Sequence, residues 1–487
     1  MPFNNNQNPT FLKREGINSQ PFMKRVSIRI TLYLLINFLQ INYTASLFAQ
    51  DANYWTNQYG TRANLLGGAV IGSVLELSGT YYNPGGLSLI EDPDLILAAK
   101  VFQYPIITLR GKGFQDVKLN SSRIDPAPSM IAGLVKFKWL GKNTLGYSIF
   151  TRHEVKFDLS GTEVMSLDFY PSVPGDEASW STLRVTERLS EPWWGITWAS
   201  RFLNKIGYGI STYALFRSHR ATIQSSSELI TSDGNIYIFN GSRDYKYNNY
   251  RLLAKLGFTF DFIGLTMGLT ITTPSIELYS SGEAGINITY IGPDTTGDGK
   301  QETWAAVDFQ DGVGSDYKTP LSIGIGTTLK FKKRTNIYLS AEWFNSIQKY
   351  DVIKTEDFIA QISGDTLNSS VTSESQQVLN MGIGIEHHFN KNISGIASFS
   401  SDFSHRKPDS ETNLSIASWD IFNILAGASI IIKKTELTLG IGYSFGSDKL
   451  DFGRDSPINK LINQIPLRPD VTNFSYANWK LVFGFSF

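Results

Sequence analysis

Stretch after stretch of this chain alternates apolar residues with small or polar ones, and a period of two confines such segments to strands with two unlike faces. The clearest sets Ile263, Leu265, Met267, Leu269 and Ile271 against Gly264, Thr266, Gly268, Thr270 and Thr272. Another sets Leu321, Ile323, Ile325, Thr327, Leu329 and Phe331 against Ser322, Gly324, Gly326, Thr328 and Lys330, and a third runs Leu437, Leu439, Ile441, Tyr443, Phe445. Fourteen segments read this way: 94–112, 129–139, 143–158, 192–203, 206–222, 247–260, 262–278, 319–332, 335–350, 374–389, 392–405, 415–433, 435–449 and 474–487. Their connections alternate in length. Six are tight, around Gly141-Lys142, Asn204-Lys205, Asp261, Lys333-Arg334, Asn390-Lys391 and Lys434, and seven are longer, from 406–414 up to 279–318.

Tight turns at one end and long loops at the other are the pattern of an outer-membrane barrel. In lipid every backbone N–H and C=O needs a partner within the protein, and a sheet provides one only by closing on itself. Soluble β-sandwiches alternate too, but segments of 12–16 residues exceed the usual five or six and suit a tilted crossing. The final segment carries Trp479, Leu481, Phe483 and Phe485 and ends on Phe487, which resembles the signal read by the barrel-assembly machinery. The expected fold is therefore all-β: a 14-stranded antiparallel transmembrane β-barrel over 94–487. Trp139, Trp193, Trp194, Trp343, Phe344 and Trp479, near segment ends, are expected to form an interfacial girdle.

Composition agrees. Mean hydropathy of −0.14 is too polar for a bundle of membrane helices, while 13% aromatic and only 18% charged residues argue against disorder. With no Cys, disulfides, thiolate catalysis and Cys-bound metals are excluded. The balance of 44 Lys+Arg against 44 Asp+Glu offers no basic excess for nucleic acid.

Near the N-terminus, Met23-Lys24-Arg25 and Arg29 precede an apolar run from Ile30 to Ile41, broken by Asn37 and Gln40. Small residues Thr44, Ala45 and Ser46 follow, then Ala49-Gln50. This is the layout of an export signal, and the run is too short to span a bilayer comfortably. Residues 1–49 read as an extension and signal (core 23–49), directing the chain to the bacterial outer membrane.

Residues 50–93 do not alternate. They contain Gly67-Gly68-Ala69-Val70-Ile71-Gly72 and Tyr81-Tyr82-Asn83-Pro84-Gly85-Gly86-Leu87. Asn83-Pro84 reads as a helix start, Asn as cap and Pro at the first helical position. An apolar segment ahead of a barrel is most simply a plug buried inside it. The stretch Gly67 to Ile90 resembles the N-terminal segment of the long-chain fatty-acid transporter (FadL/TodX-like) outer-membrane family, whose hallmark is Asn-Pro-Ala-Gly-Leu after a Gly/Ala-rich run. Gly85 stands where the family carries Ala. Thr273-Pro274-Ser275 and Thr319-Pro320-Leu321, flanking the longest connection, are similar to that family too.

The resemblance implies passive uptake of a hydrophobic small-molecule ligand, long-chain fatty acids or aromatic hydrocarbons. Ligand would be captured among loops 159–191 and 279–318, pass a displaced plug and leave sideways between strands. Asn83, Pro84, Gly85, Gly86 and Leu87 are the expected plug-gating residues. The faces opposite the apolar ones are mostly Gly, Ser and Thr, which suits a plugged lumen and a poorly charged solute. Outer-membrane lipids and lipopolysaccharide are expected neighbours. A secretion-system barrel that docks proteins on its loops is the alternative.

No enzyme is expected, and no cofactor. Asp294 to Glu302 resembles part of a calcium loop with Gly299 at its sixth position, but Ala305 stands where the closing Glu belongs, so it reads as a solvated turn. His153, His219, His387, His388 and His405 do not make a metal set; His387 and His388 point to opposite faces. His405 near Ser401 and Ser404 lacks a Gly-x-Ser-x-Gly context.

Overall fold

The structure, a computed structural model, describes residues 53–73, 75–90, 95–111, 114–120, 128–135, 143–167, 176–203, 205–232, 234–292, 300–332, 334–406, 419–433, 435–451 and 471–486. The signal segment, Trp139, Asp294 to Gly299 and Phe487 lie outside the described residues. Three single-turn helices come first: α1 (Arg62–Leu65), α2 (Gly79–Tyr82) and α3 (Pro84–Leu87). The rest is antiparallel sheet. Its first strands are β1 (Ile96–Gly111), β2 (Phe114–Asn120), β3 (Pro128–Val135), β4 (Thr144–Leu167), β5 (Glu177–Phe202), β6 (Ile206–Ile230) and β7 (Ile236–Phe262). Then come β8 (Leu265–Thr272), β9 (Ile276–Ile291), β10 (Thr303–Val313), β11 (Ser322–Phe331) and β12 (Thr335–Phe344). Four short strands follow, β13 (Ile347–Ile353), β14 (Asp357–Ile359), β15 (Thr366–Asn368) and β16 (Val371–Ser375). The last are β17 (Val378–His388), β18 (Ile393–Asp402), β19 (Ile421–Ile432), β20 (Thr435–Asp451) and β21 (Val471–Ser486).

Seventeen of these strands form one sheet. It closes: β1 pairs with β21 from Ile96↔Ser486 to Arg110↔Asn473, and on its other edge with β3 and β2. Closure satisfies the ladder without leaving a long free edge, the condition for a barrel in lipid. Left-handed residues stand at four of the tight turns. Leu203, Lys332 and Lys433 have positive φ, and the turn between β7 and β8 falls at Ile263–Gly264, two residues beyond the expected Asp261, where Gly264 has φ 82°.

The two faces separate cleanly along β6. Outward stand Ile206, Tyr208, Ile210, Thr212, Ala214 and Phe216; inward stand Gly207, Gly209, Ser211, Tyr213, Leu215, Arg217 and His219. Beyond Phe216 the outward residues turn polar: Ser218, Arg220, Thr222, Gln224. An apolar run of this length on a strand tilted about 45° is about 25 Å tall, the height of a membrane band. Pro192 to Phe202 on β5 and Tyr250 to Phe262 on β7 repeat the pattern.

Two expectations are corrected. The segment 159–191 is not a loop: β4 and β5 stay paired as far as Leu167↔Glu177, and β6 and β7 as far as Ile230↔Ile236. Most of 279–318 is likewise strand, β9 and β10, paired from Gly282↔Val313 to Ile291↔Thr303. These extensions still alternate, but their outward residues are largely polar and their inward ones mix Val185, Leu189 and Ile223 with Glu187 and His219, so the apolar outer face of the other segments is missing. Above the band, the β13–β16 pair packs against β6, β7 and β9 through Val352, Ile353, Val371, Tyr245 and Tyr247. There Arg243 is buried and donates to the carbonyls of Ser369 and Ser370, and burial pushes its guanidinium down to about 10.

The girdle is also corrected in part. Trp194 and Trp479 face outward, 56% and 52% exposed. Trp193 and Phe344 face inward and are buried, and Trp343 is half-buried. Trp193 and Trp194 are adjacent, so one of them had to turn inward.

Candidate functional site

Residues 53–90 pack against the inward face of the sheet, and the wall is built to receive them. At Gly207 a Cβ would run into the carbonyl of Gly85, at Gly257 into the Asn83 side chain, and at Gly268 into the carbonyl of Ile71. At Gly326 it would meet the Gly72 backbone nitrogen at 2.5 Å. Backbone therefore lies directly on backbone across four wall strands. The core follows: Tyr59, Leu65, Leu66, Leu77, Tyr81, Tyr82 and Leu87 are buried against Phe150, Trp193, Tyr213 and Leu253 of the wall.

The five expected residues come together here. Asn83 is extended and caps α3, its Oδ1 accepting from the Gly85 nitrogen at 3.1 Å, with Pro84 at the first helical position. Its Nδ2 donates to the carbonyls of Ile71 (2.8 Å) and Phe258 (3.0 Å), tying the segment to itself and to β7. Gly85 has no room for the Ala seen in the resembling family: a Cβ would stand 2.8 Å from the carbonyl oxygens of both Gly207 and Gly257. Gly86 is buried, and Leu87 packs beside Gly146 of β4.

Polar anchors hold the rest. Glu76 accepts from the backbone nitrogens of Thr61, Arg62 and Ala63 at the start of α1. Arg62 reaches across to Glu386 at 2.6 Å, a carboxylate fully buried and also bonded by Tyr338. The Trp55 nitrogen and Thr56 hydroxyl donate to Asp402, and the Trp55 indole to Glu342. Ser211 and Tyr213 both donate to the Thr80 carbonyl. Because the wall partners are spread over β6, β12, β17 and β18, the segment is fixed from several sides of the bore.

At the rim of this segment the inward face also carries charges among the Gly, Ser and Thr expected there. Glu191 pairs with Arg217 at 2.6 Å and accepts from the Trp193 indole at 2.7 Å. Arg217 also donates to the Tyr247 hydroxyl and lies 3.6 Å from the Tyr317 ring centroid. Lys255 sits 3.7 Å from Glu342 and 4.7 Å from the Tyr81 ring centroid. These charges are dispersed singly on strands whose other inward residues are small or aromatic, so no local motif announces them.

Arg152 is the exception in this array. β4 carries a bulge between Thr151 and His153, which breaks the period and turns Arg152 and His153 inward together. The Arg152 guanidinium is 5.7 Å and 5.8 Å from the ring centroids of Tyr81 and Trp193. It is 5% exposed and makes no ion pair among the described residues. Among the described residues β3 and β4 pair from Val135↔Leu145 to Met130↔Phe150. The carbonyls of Thr151 and Arg152 accept from the N-terminal segment, from the Tyr59 hydroxyl at 3.1 Å and Asn57 Nδ2 at 3.1 Å.

The histidines take structural places. His219 lies between Glu187 (3.0 Å) and the Tyr247 hydroxyl (3.2 Å), and His387 and His388 bond Thr335 and Ser394. The His405 ring stacks on Tyr54, their centroids 4.4 Å apart. Among the described residues no group of His and carboxylates is placed to hold a metal. The two Thr-Pro stretches meet: the Ser275 nitrogen donates to the Thr319 hydroxyl at 2.9 Å, where β8 gives way to β9 and the chain enters β11.

No protein-family model and no curated protein sequence matches this chain. Solved structures do. The toluene transporter TodX of P. putida superimposes with a TM-score of 0.55 at 13% identity, covering 88% of this chain and 98% of that one. A FadL homologue of Pseudomonas aeruginosa gives 0.52 at 12% identity, covering 89% and 99%. The toluene transporter TbuX of Ralstonia pickettii gives 0.50 at 12% identity, covering 88% and 98%. At such identities the likeness is one of fold, and it extends over nearly the whole chain.

Proposed function

We propose that this chain, sharing its fold with two toluene transporters and a FadL homologue, is a passive channel for hydrophobic small molecules in the bacterial outer membrane. In this reading 1–49 is the extension and export signal, 50–93 the plug and 94–487 the barrel. Fourteen strands run around the wall: β1, β3 to β8, β11, β12 and β17 to β21. β9 and β10 continue the wall upward, and β2 folds back on β1.

One observation carries the reading. The sheet is apolar on its outer face and its bore is filled by the chain's own leading residues, fitted glycine to glycine. An open ion pore has no use for such a stopper. Transfer of an apolar solute from water supplies about 0.8 kcal/mol per buried methylene, and no nucleotide-binding motif is present to drive transport otherwise.

Asn83 to Leu87 serve as the gating segment. Asn83 joins the plug to β7, so losing its two bonds frees the α3 turn from the wall. The side exit lies at the β4 bulge, where backbone carbonyls of the wall accept from the plug. There Tyr59 and Asn57 donate to the carbonyls of Thr151 and Arg152, so plug displacement and side opening are one motion. Arg152 beside this exit favours hydrophobic solutes that carry a carboxylate. A charged hydrogen bond of about 1.5–3 kcal/mol is ample for tenfold discrimination.

The test is uptake by proteoliposomes of a labelled long-chain fatty acid and of labelled toluene. Wild-type protein is expected to pass both above protein-free vesicles. Deleting 51–80 should change the rate, and Arg152→Met should slow the acid about tenfold while sparing toluene. Passage no faster than through empty vesicles overturns the channel. The docking-barrel alternative draws on the polar outer faces of the extended β4 to β7, and co-purification of a protein partner would favour it.

A further inference from the structure

On β4 to β7, above the apolar band, four cations stand in one row. Register places Lys156 opposite Arg188, Arg188 opposite Arg220, and Arg220 opposite Lys246. The first three are exposed on the outer face and Lys246 is half-exposed. Neighbouring strands are about 4.8 Å apart, and like charges directly opposite each other destabilise a sheet. Carboxylates temper the ends of the row: Glu154 pairs with Lys156 at 2.6 Å and Glu283 with Lys246 at 3.4 Å. Asp158 lies 3.8 Å and 3.9 Å from Arg184 and Arg188.

At the centre, Asp158 of β4 stands opposite Thr186 and Asp244 of β7 opposite Thr222. The outward residues of β5 here are Arg184, Thr186, Arg188 and Ser190, set opposite Gln224, Thr222, Arg220 and Ser218 of β6. These eight outward positions offer three guanidiniums and four hydroxyls. Arg220 has no carboxylate within ion-pair distance among the described residues, and its electrostatic partner is Asp244 of β7. Guanidinium forks and hydroxyls converging on one patch are the chemistry of phosphate recognition.

Height says what kind of phosphate. The continuous apolar band ends at Pro192 and Phe216, and Arg188 and Arg220 lie four positions further. That is about 13 Å along the strand and about 9 Å above the band at a 45° tilt. Headgroup layers are about 5–8 Å deep, and an arginine stem reaches down to them. A row of rings marks the border: Trp194 with Phe216 at 5.1 Å, Phe216 with Tyr250 at 5.6 Å, and Tyr250 with Tyr279 at 5.8 Å.

We propose that Arg184, Arg188 and Arg220 form a binding site for the phosphate groups of an outer-leaflet glycolipid, whose acyl chains lie on Trp194, Ile196, Ile210 and Phe216 below. The site rests on the membrane-barrel reading but not on what the channel carries.

The experiment uses the full chain in mild detergent, with native mass spectrometry against lipid A bearing both phosphates and against its dephosphorylated form. Wild-type protein should hold the phosphorylated lipid at least tenfold more tightly. Arg188→Gln with Arg220→Gln should abolish that preference, and Lys at both positions should restore part of it. Equal retention of the two lipids by wild type, or an unchanged preference in the double Gln variant, overturns the site. So does displacement of the lipid by millimolar inorganic phosphate, which would make a free anion the ligand. A heat-dependent shift in gel mobility reports the folded barrel for every variant, and solute uptake in vesicles lacking lipid A reports the channel separately. A chain that stays folded and monodisperse without detergent would overturn the membrane reading and this site together.

Discussion

Gly85 and Gly207 meet backbone to backbone, and neither has space for a methyl group. Gly85→Ala would place its Cβ 2.8 Å from two carbonyl oxygens that belong to paired strands and cannot retreat easily. Overpacking of this kind costs about 1–3 kcal/mol. The expected outcome is a barrel of normal heat-modifiable mobility whose 53–90 segment is cut faster by protease than in wild type; unchanged cleavage would show that the fit is looser than the geometry implies. At this scale the sequence was legible where chemistry is local. Asn83-Pro84 announces a capped turn because cap, Pro and first amide are three consecutive positions. Arg152 was not legible: a bulge has no sequence mark of its own, and it turned two successive residues to the same face. Nor were Glu386 and Asp402, whose partners Arg62 and Trp55 lie more than 300 residues earlier in the chain.

Among the elements, β4 carries a bulge at which the wall bonds directly to the N-terminal segment. Its carbonyls at Thr151 and Arg152 accept from Tyr59 and Asn57. Tyr59→Phe removes one hydrogen bond worth about 1 kcal/mol and leaves the ring packed against Phe150 and Tyr81. Amide exchange in β4 around the bulge should quicken by about fivefold, with β5 to β7 unaffected. Exchange that rises equally in all four strands would instead mean general destabilisation. Element identity was legible where one face is apolar: the alternating segments fall on strands among the described residues, although 262–278, 335–350 and 374–389 each run across two. Element length was not. From Ser218 to Ile230 the residues of β6 still alternate between two faces, but the outer one carries Arg220, Thr222 and Gln224, and a reading that follows an apolar outer face stops with the apolar band.

For the whole molecule, the separation of an apolar outside from a filled inside makes neighbouring residues report opposite environments. Trp194 is 56% exposed on the outer face and Trp193 is 6% exposed inside. In vesicles of brominated lipid, Trp194→Phe should lower the quenchable share of the fluorescence and Trp193→Phe should not. Equal effects would reverse the assignment of the two faces. The fold class was legible because period and closure are global demands that every strand obeys. The charged lumen was not, since its ion pairs join strands far apart in sequence.

The ring is sealed by its two extremes, β1 against β21, yet the residues enclosed by it precede β1. The part synthesised first must therefore be waiting at the centre when the part synthesised last arrives. Arg62 has no Glu386, and Leu65 no Gly440, until most of the circle exists. Assembly of this protein is thus a wrapping of late sequence around early sequence, and a copy that zips shut ahead of time would leave its own beginning stranded outside.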